Sequence, residues 1–202
     1  DRFDQVLDDP EVRAIALTVR APNQGAMAVA ALRAGKHVHA EVPAAHSIDE
    51  CWDLVDAVRQ TGLVYALAEQ TRYWGFVEEW SKMRRAGDLG VPLLADGQYF
   101  HYLPDNKFAD PRTGELVPLA RRPADAVPTW SHLMPPIHYL PHQLSPLLKI
   151  LDDRIVEVTG MATPEPSLAH PELRQADIQT ALMRTARGTI VRVATGFASP
   201  HP

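Results

Sequence analysis

Apolar and polar positions in the first part of the chain alternate between two periods. Val12-Arg-Ala-Ile-Ala-Leu-Thr-Val19 is a β-branched apolar run of strand length. Asn23 to Ala34 is Ala-rich, with Met27, Val29, Ala30 and Leu32 apolar, and reads as a helix closed by Gly35. Lys36 to Glu41 is a short strand. Ser47-Ile-Asp-Glu50 is a capping box that opens a helix running through Gln60 and stopping at Gly62. Within it Ile48, Trp52, Leu54, Val55 and Val58 lie near helical spacing and predict a stripe that covers a sheet. Leu63 to Leu67 is the next strand, and Phe76 to Arg85 a helix ended by Gly87 and Gly90. Strands alternating with helices over short loops predict parallel pairing in a doubly wound sheet.

After Gly90 the pattern changes. Leu93 to His101 is a longer strand of mixed polarity. Residues 103–146 hold 9 of the 18 prolines, so this stretch is expected to be irregular. A loop of that length inside a domain serves as a lid, a binding loop or a linker. Pro141 to Leu151 is a short helix. Ile155 to Met161, Ile178 to Arg184 and Thr189 to Thr195 are strands, the last two joined by a hairpin turn at Ala186-Arg-Gly188. The second half therefore reads as an α+β domain with an open, mostly antiparallel sheet, covering 91–202, and the boundary is placed near residue 90. Residues 1 to 9 already read as the middle of a helix, and the final six follow a strand with no closing element. A fragment cut at both ends is expected.

Composition removes alternatives. The chain has 202 residues, 46% hydrophobic and 22% charged, which excludes a disordered tail, a collagen and a coiled coil. Its 25 acidic against 20 basic residues give a net charge of −5 and no basic footprint for nucleic acid. Apolar runs fall well short of the ~20 residues that span a bilayer. No membrane partner is expected, and without a visible leader the expected location is cytoplasmic. Cys51 is the one cysteine, so no internal disulfide forms.

Gly35-Lys-His-Val-His-Ala-Glu-Val-Pro43 carries the most specific signal. Ligands sit beyond the carboxyl ends of strands in a doubly wound sheet, which puts Glu41 to Pro43 at the crevice. With the Ala-rich helix before it and Gly87-Asp-Leu-Gly90 after, this segment resembles the Gfo/Idh/MocA oxidoreductase family over nearly the whole chain. The resemblance implies that residues 1–90 are the C-terminal part of an NAD(P)-binding Rossmann domain lacking its first βα unit. It implies that residues 91–202 open a substrate domain for a sugar or polyol. The cofactor is expected to be NAD or NADP, with NAD favoured, touching Thr18, Asn23, Glu41, Pro43 and Glu69; the resemblance also implies a homo-oligomer. The sequence holds no G-x-G-x-x-G, so the piece alone is expected to bind dinucleotide poorly and to be inactive.

Val42 stands where family dehydrogenases carry Lys, and Ser145 where they carry an Asp three residues after His142. Glu41-Val-Pro-Ala-Ala45, Asp49-Glu-Cys-Trp52, Leu67-Ala-Glu-Gln70, Gly97-Gln-Tyr-Phe-His101 and Tyr139-Leu-Pro-His142 are instead similar to the family's NAD-dependent glycosidases, the alpha-N-acetylgalactosaminidase-like branch. That match puts Glu69, Tyr99, Tyr139 and His142 on active-site positions and implies catalytic roles for the last three; Trp130 in the proline-rich loop and Arg72 are separate candidates for contacting the substrate. A His with unperturbed pKa near 6.5 titrates near operating pH, whereas a Tyr near 10 needs a cationic neighbour to do so.

Simpler readings stand beside these. His37 with His39, or His138 with His142, have spacing that suits zinc, but no motif places a third ligand, and no metal is expected. Tyr99 and Tyr139 also fit as core tyrosines. Trp52, Trp74, Trp80 and Trp130 read as packing, and Cys51 as a small core residue. Three functions follow: an oxidoreductase acting on a sugar or polyol; a redox-neutral glycosidase; and a non-catalytic dinucleotide-binding sensor or assembly subunit.

Overall fold

The computed structural model describes residues 2–198. The chain divides into two compact units, one ending at Glu69 and one beginning at Gln70. The division falls earlier than the boundary drawn near residue 90, because the helix at 75–86 packs with the second unit, against the helix at 141–151.

The first unit runs α1 (Phe3–Asp8), β1 (Ala14–Leu17), α2 (Ala21–Arg33), β2 (His37–Ala40), α3 (Ile48–Thr61) and β3 (Tyr65–Leu67). The strands form a parallel sheet in the order β1-β2-β3. Ile15, Leu17, Val38 and Ala40 bury one face of it against Ala28, Val29, Ala31 and Leu32 of α2 and Leu54 and Ala57 of α3. Half of the capping box forms as expected, with Ser47 Oγ accepting from the Glu50 N–H at 3.2 Å, while Glu50 Oε2 accepts from the N–H of His46, one residue before the cap, at 2.6 Å. Gly62, with φ of 68°, closes α3 in the left-handed region. Gly25 lets α2 approach α3, since a Cβ there would lie 3.1 Å from Glu50 Oε2 and 3.4 Å from the Ala45 Cβ.

The stripe expected along α3 is corrected. Ile48, Trp52 and Val55 are exposed, Trp52 by 58%, and the buried positions are Leu54 and Ala57. At about 100° per residue, 48, 52 and 55 share one face and 54 and 57 another, so the five-residue stripe had merged two faces. Cys51 is exposed and is not a core residue. Trp74 and Trp80 are half exposed, at 51% and 49%, so neither is interior packing; Phe76 instead contacts each of them along the start of α4.

The second unit continues with α4 (Gly75–Ala86), β4 (Leu94–Phe100), β5 (Phe108–Ala109), β6 (Val127–Pro128), α5 (Pro141–Leu151), β7 (Ile155–Ala162), β8 (Ile178–Thr185) and β9 (Ile190–Gly196). Its main sheet has the order β4-β9-β8-β7: β4 runs parallel to β9, and the other two pairs are antiparallel. Leu151, Ala181, Met183, Val191 and Val193 form its core with Leu144 and Leu147 of α5. The proline-rich stretch is built of single 3-10 turns and the two-residue pair β5-β6, as proline content dictates.

Candidate functional site

In the first unit, Leu17, Ala40 and Leu67 pair in one row, so Thr18 and Glu41 follow side by side at the carboxyl ends of β1 and β2, and Ala68 and Glu69 follow β3. Thr18 is exposed, as is Asn23 in the first turn of α2; Glu41 is half-buried, Pro43 buried, and Glu69 only 3% exposed. Glu41 accepts the Val42 N–H at 3.1 Å, and the Val42-Pro43 peptide is cis.

Gln24 shapes this edge, and the sequence reading passed over it. Its amide Nε2 donates to the carbonyl oxygens of Glu41 and of Pro43, the latter at 2.7 Å, while the side chain is 1% exposed. One buried amide thereby satisfies two carbonyls of the turn that leaves β2. A sequence signal existed: Gln24 shares the stripe of Ala28 and Ala31, where a polar residue needs a buried partner.

This edge suits part of a dinucleotide. A parallel sheet presenting Thr18 and Glu41 beyond its strand ends offers a hydroxyl and a carboxylate to ribose hydroxyls, at the place where such sheets bind ligands, whereas Glu69 beyond β3 is buried. The buried Gln24 Oε1 has no hydrogen-bond partner among the described residues. Pyrophosphate would need a glycine-rich turn, and this sequence contains none.

In the second unit Tyr99, Tyr139 and His142 come together. The Tyr99 ring lies 4.6 Å from that of His142 and 6.1 Å from that of Tyr139, nearly parallel to the latter, and Tyr139 to His142 is 5.6 Å. Phe197 stands edge-on to both tyrosines, and His101 packs on Tyr99 at 4.5 Å.

Several features place these rings. Gly97, two residues before Tyr99, admits α5 onto β4, since a Cβ there would sit 2.9 Å from the Gln143 Cβ. Gln143 Nε2 donates to Thr195 Oγ1 at 2.7 Å and ties α5 to β9. Pro146 lies inside α5 and has no N–H for the carbonyl four residues before it, which is that of His142. Thr71 Oγ1 supplies that donor at 2.7 Å.

Arg72 donates from Nη1 to the Ser145 carbonyl at 3.0 Å, so at least one of its donors is engaged with α5. Trp130 is half-buried at the start of the turn Trp130–His132 and takes no part in the ring contacts of the cluster among the described residues.

Two buried basic groups in the proline-rich loop were not singled out from the sequence. Lys107 is 1% exposed; its Nζ donates to the Ser131 carbonyl at 2.8 Å and lies 5.7 Å from the Phe197 ring centre. Burial pushes its pKa down to about 8. His132, 3% exposed, is held below the usual imidazole range by burial first and then by Lys107, Arg174 and Arg122. The one signal available was a lysine adjoining Phe108 in an otherwise turn-forming stretch.

His37 accepts the Val64 N–H on Nδ1 at 3.0 Å. Among the described residues no three His, Cys, Asp or Glu side chains are grouped to hold a metal ion, and no helix is long and apolar enough to cross a membrane.

Residues 1–69 match a family described as an oxidoreductase family with an NAD-binding Rossmann fold. An alpha-N-acetylgalactosaminidase of Bacteroides fragilis is 28% identical over 194 residues, 87% of this chain and 44% of its own length. A glycosyl hydrolase family 109 protein of Solibacter usitatus is 30% identical over 196 residues, 87% of this chain and 42% of its own. The chain spans less than half the length of the curated relatives it matches. Among solved structures, the apo scyllo-inositol dehydrogenase of Lactobacillus casei superposes with a TM-score of 0.72 at 15% identity, over 100% of this chain and 54% of its own, which shows a shared fold.

Proposed function

We propose, from the match of residues 1–69 to the Gfo/Idh/MocA oxidoreductase family with its NAD-binding Rossmann fold, that the protein is an NAD-dependent enzyme acting on a sugar by hydride transfer at a ring hydroxyl. Within that class we favour the redox-neutral form, which cleaves a glycoside. The observation that carries it is the gathering of Tyr99, Tyr139 and His142 into one cluster, where each can hold or pass a proton. The names of the curated relatives support the same choice.

Bound NAD would supply a reversible hydride acceptor, so that the C3 hydroxyl becomes a carbonyl, the C2 proton turns acidic, the C1 group leaves by elimination, and water and hydride are then returned. His142 or Tyr139 takes the C3 hydroxyl proton in this reading, and Tyr99 the C2 proton. Glu41 and Glu69 orient hydroxyls of the cofactor ribose or the sugar, with Thr18, Asn23 and Pro43 lining the cofactor side. Trp130 offers an apolar face to the sugar, and Arg72 a guanidinium. The favoured cofactor is NAD. Exposed Met161 and Leu182, on one face of β7 and β8, support a homo-oligomer.

Val42 and Ser145 in place of the Lys and Asp of ordinary dehydrogenases weigh against net alcohol oxidation, which remains the second reading. One experiment separates the two. The protein expressed from its complete gene is incubated with NAD+ and panels of free sugars and aryl glycosides, following NADH absorbance and aglycone release. Aglycone release without net NADH, abolished by His142→Ala, is the expected result. Steady NADH from a free sugar points to the dehydrogenase, and bound cofactor with neither signal to a sensor or assembly subunit.

A further inference from the structure

We propose that Lys107 is a positioning residue for the Tyr99, Tyr139 and His142 cluster, acting through the ring of Phe197. The lysine is fully buried in the proline-rich loop, where the Ser131 carbonyl and the Phe197 ring hold its ammonium. That same ring stands 5.2 Å from Tyr139 and 6.2 Å from Tyr99, edge-on to both, and 6.1 Å from His101. One phenyl ring therefore joins the ammonium to two tyrosines of the proposed reacting site.

A buried ammonium is costly, and a carbonyl with a π face compensates only in part. His132 feels the charge of Lys107, and Arg174 and Arg122 act on that imidazole as well, all of them basic. Burial brings the loss of the Lys107 proton down to about pH 8. Losing that charge ends the cation–π contact and releases the Phe197 ring, so the tyrosine packing depends on pH in mildly alkaline solution. The loop itself does not rest on the ammonium alone: the Thr129 N–H donates to the Lys107 carbonyl at 2.9 Å, and the Thr129 and Ser131 hydroxyls donate to the Asn106 carbonyl at 2.7 and 2.8 Å. A lysine variant thus retains the fastening of the loop.

The kinetic consequence rests on the function proposed above, whereas the structural link does not, and the test keeps them apart. The full chain, labelled with carbon-13 in its Phe and Tyr rings and assigned through Phe197→Leu and Tyr139→Phe, is titrated from neutral to alkaline pH. The expected result is a shift of the Phe197 and Tyr139 ring signals with a midpoint near 8, absent in Lys107→Met and absent in Lys107→Arg, whose charge persists. No midpoint near 8 in the natural protein, or the same midpoint in Lys107→Met, overturns the proposal. Should Lys107→Met fail to fold, the natural protein and Lys107→Arg decide it. With an active preparation, Lys107→Met is expected to lower kcat about tenfold with KM little changed and to remove the alkaline inflection. An unchanged kcat and pH profile overturns the positioning role. Ring signals that behave as expected in a protein without turnover support the link and overturn only the function.

Discussion

The Thr71 hydroxyl donates to the His142 carbonyl at 2.7 Å, filling the acceptor that Pro146 deprives of its helical donor. A proline in the middle of a helix thereby fixes the helix to a neighbouring turn at the residue proposed for proton transfer. Thr71→Val is expected to destabilise the second unit by about 1 to 3 kcal/mol, the cost of a buried unsatisfied carbonyl, and Thr71→Ser to cost far less. Combining Thr71→Val with Pro146→Ala, which restores an N–H, should cost less than the sum of the single changes. Urea unfolding of the four variants measures this; strict additivity would refute the compensation.

Gln24→Leu removes the donor shared by the Glu41 and Pro43 carbonyls while keeping the side chain's volume. A loss of about 1 to 3 kcal/mol is expected in the first unit. In the protein expressed from its complete gene, NAD affinity should fall more than for a surface control such as Gln60→Leu. Fluorescence titration with NADH reads the difference.

Gly97→Val forces a side chain into the space held by Gln143 and Leu147. Overpacking of this kind costs about 1 to 3 kcal/mol. The melting temperature should drop, and the ring-current shift that Tyr99 and His142 exert on each other in proton NMR should shrink as α5 is pushed from β4.

His132 has a folded-state pKa below its unfolded value, so the unfolded chain binds the proton more readily over the interval between them. Its contribution is complete above about pH 6.5 and is lost as pH falls through the depressed folded value. Lys107 acts with the same sign at higher pH: folded near 8 and 10.5 unfolded, it adds stability as pH rises between those values, by about 3 kcal/mol at most. Unfolding midpoints measured from mildly acidic to alkaline pH should climb across both windows. His132→Leu should flatten the acid limb, and Lys107→Met the alkaline one.

If Tyr99 takes the C2 proton, Tyr99→Phe should slow aglycone release about 100- to 10,000-fold and stop exchange of the C2 hydrogen with heavy water. Retained exchange in that variant would move the role to Tyr139 or His142.

Local chemistry, read along the chain, was enough for the elements. Ser47 with Glu50, Gly62 and the alternation of apolar runs place α3 and the parallel strands, because caps and periodicity act between residues close in sequence. The motif match singled out Tyr99, Tyr139 and His142, and the fold brings their rings together. What needed the tertiary structure was every partnership between distant segments. Which face of α3 is buried depends on what packs against it, so Trp52 and Cys51 were misassigned. The helix at 75–86 joined the second unit through its packing on α5, a contact that no local pattern encodes. Gln24, Thr71 and Lys107 are ordinary residues in sequence. They acquire roles only because folding removes water from them and leaves a carbonyl or a ring from far along the chain as the available partner.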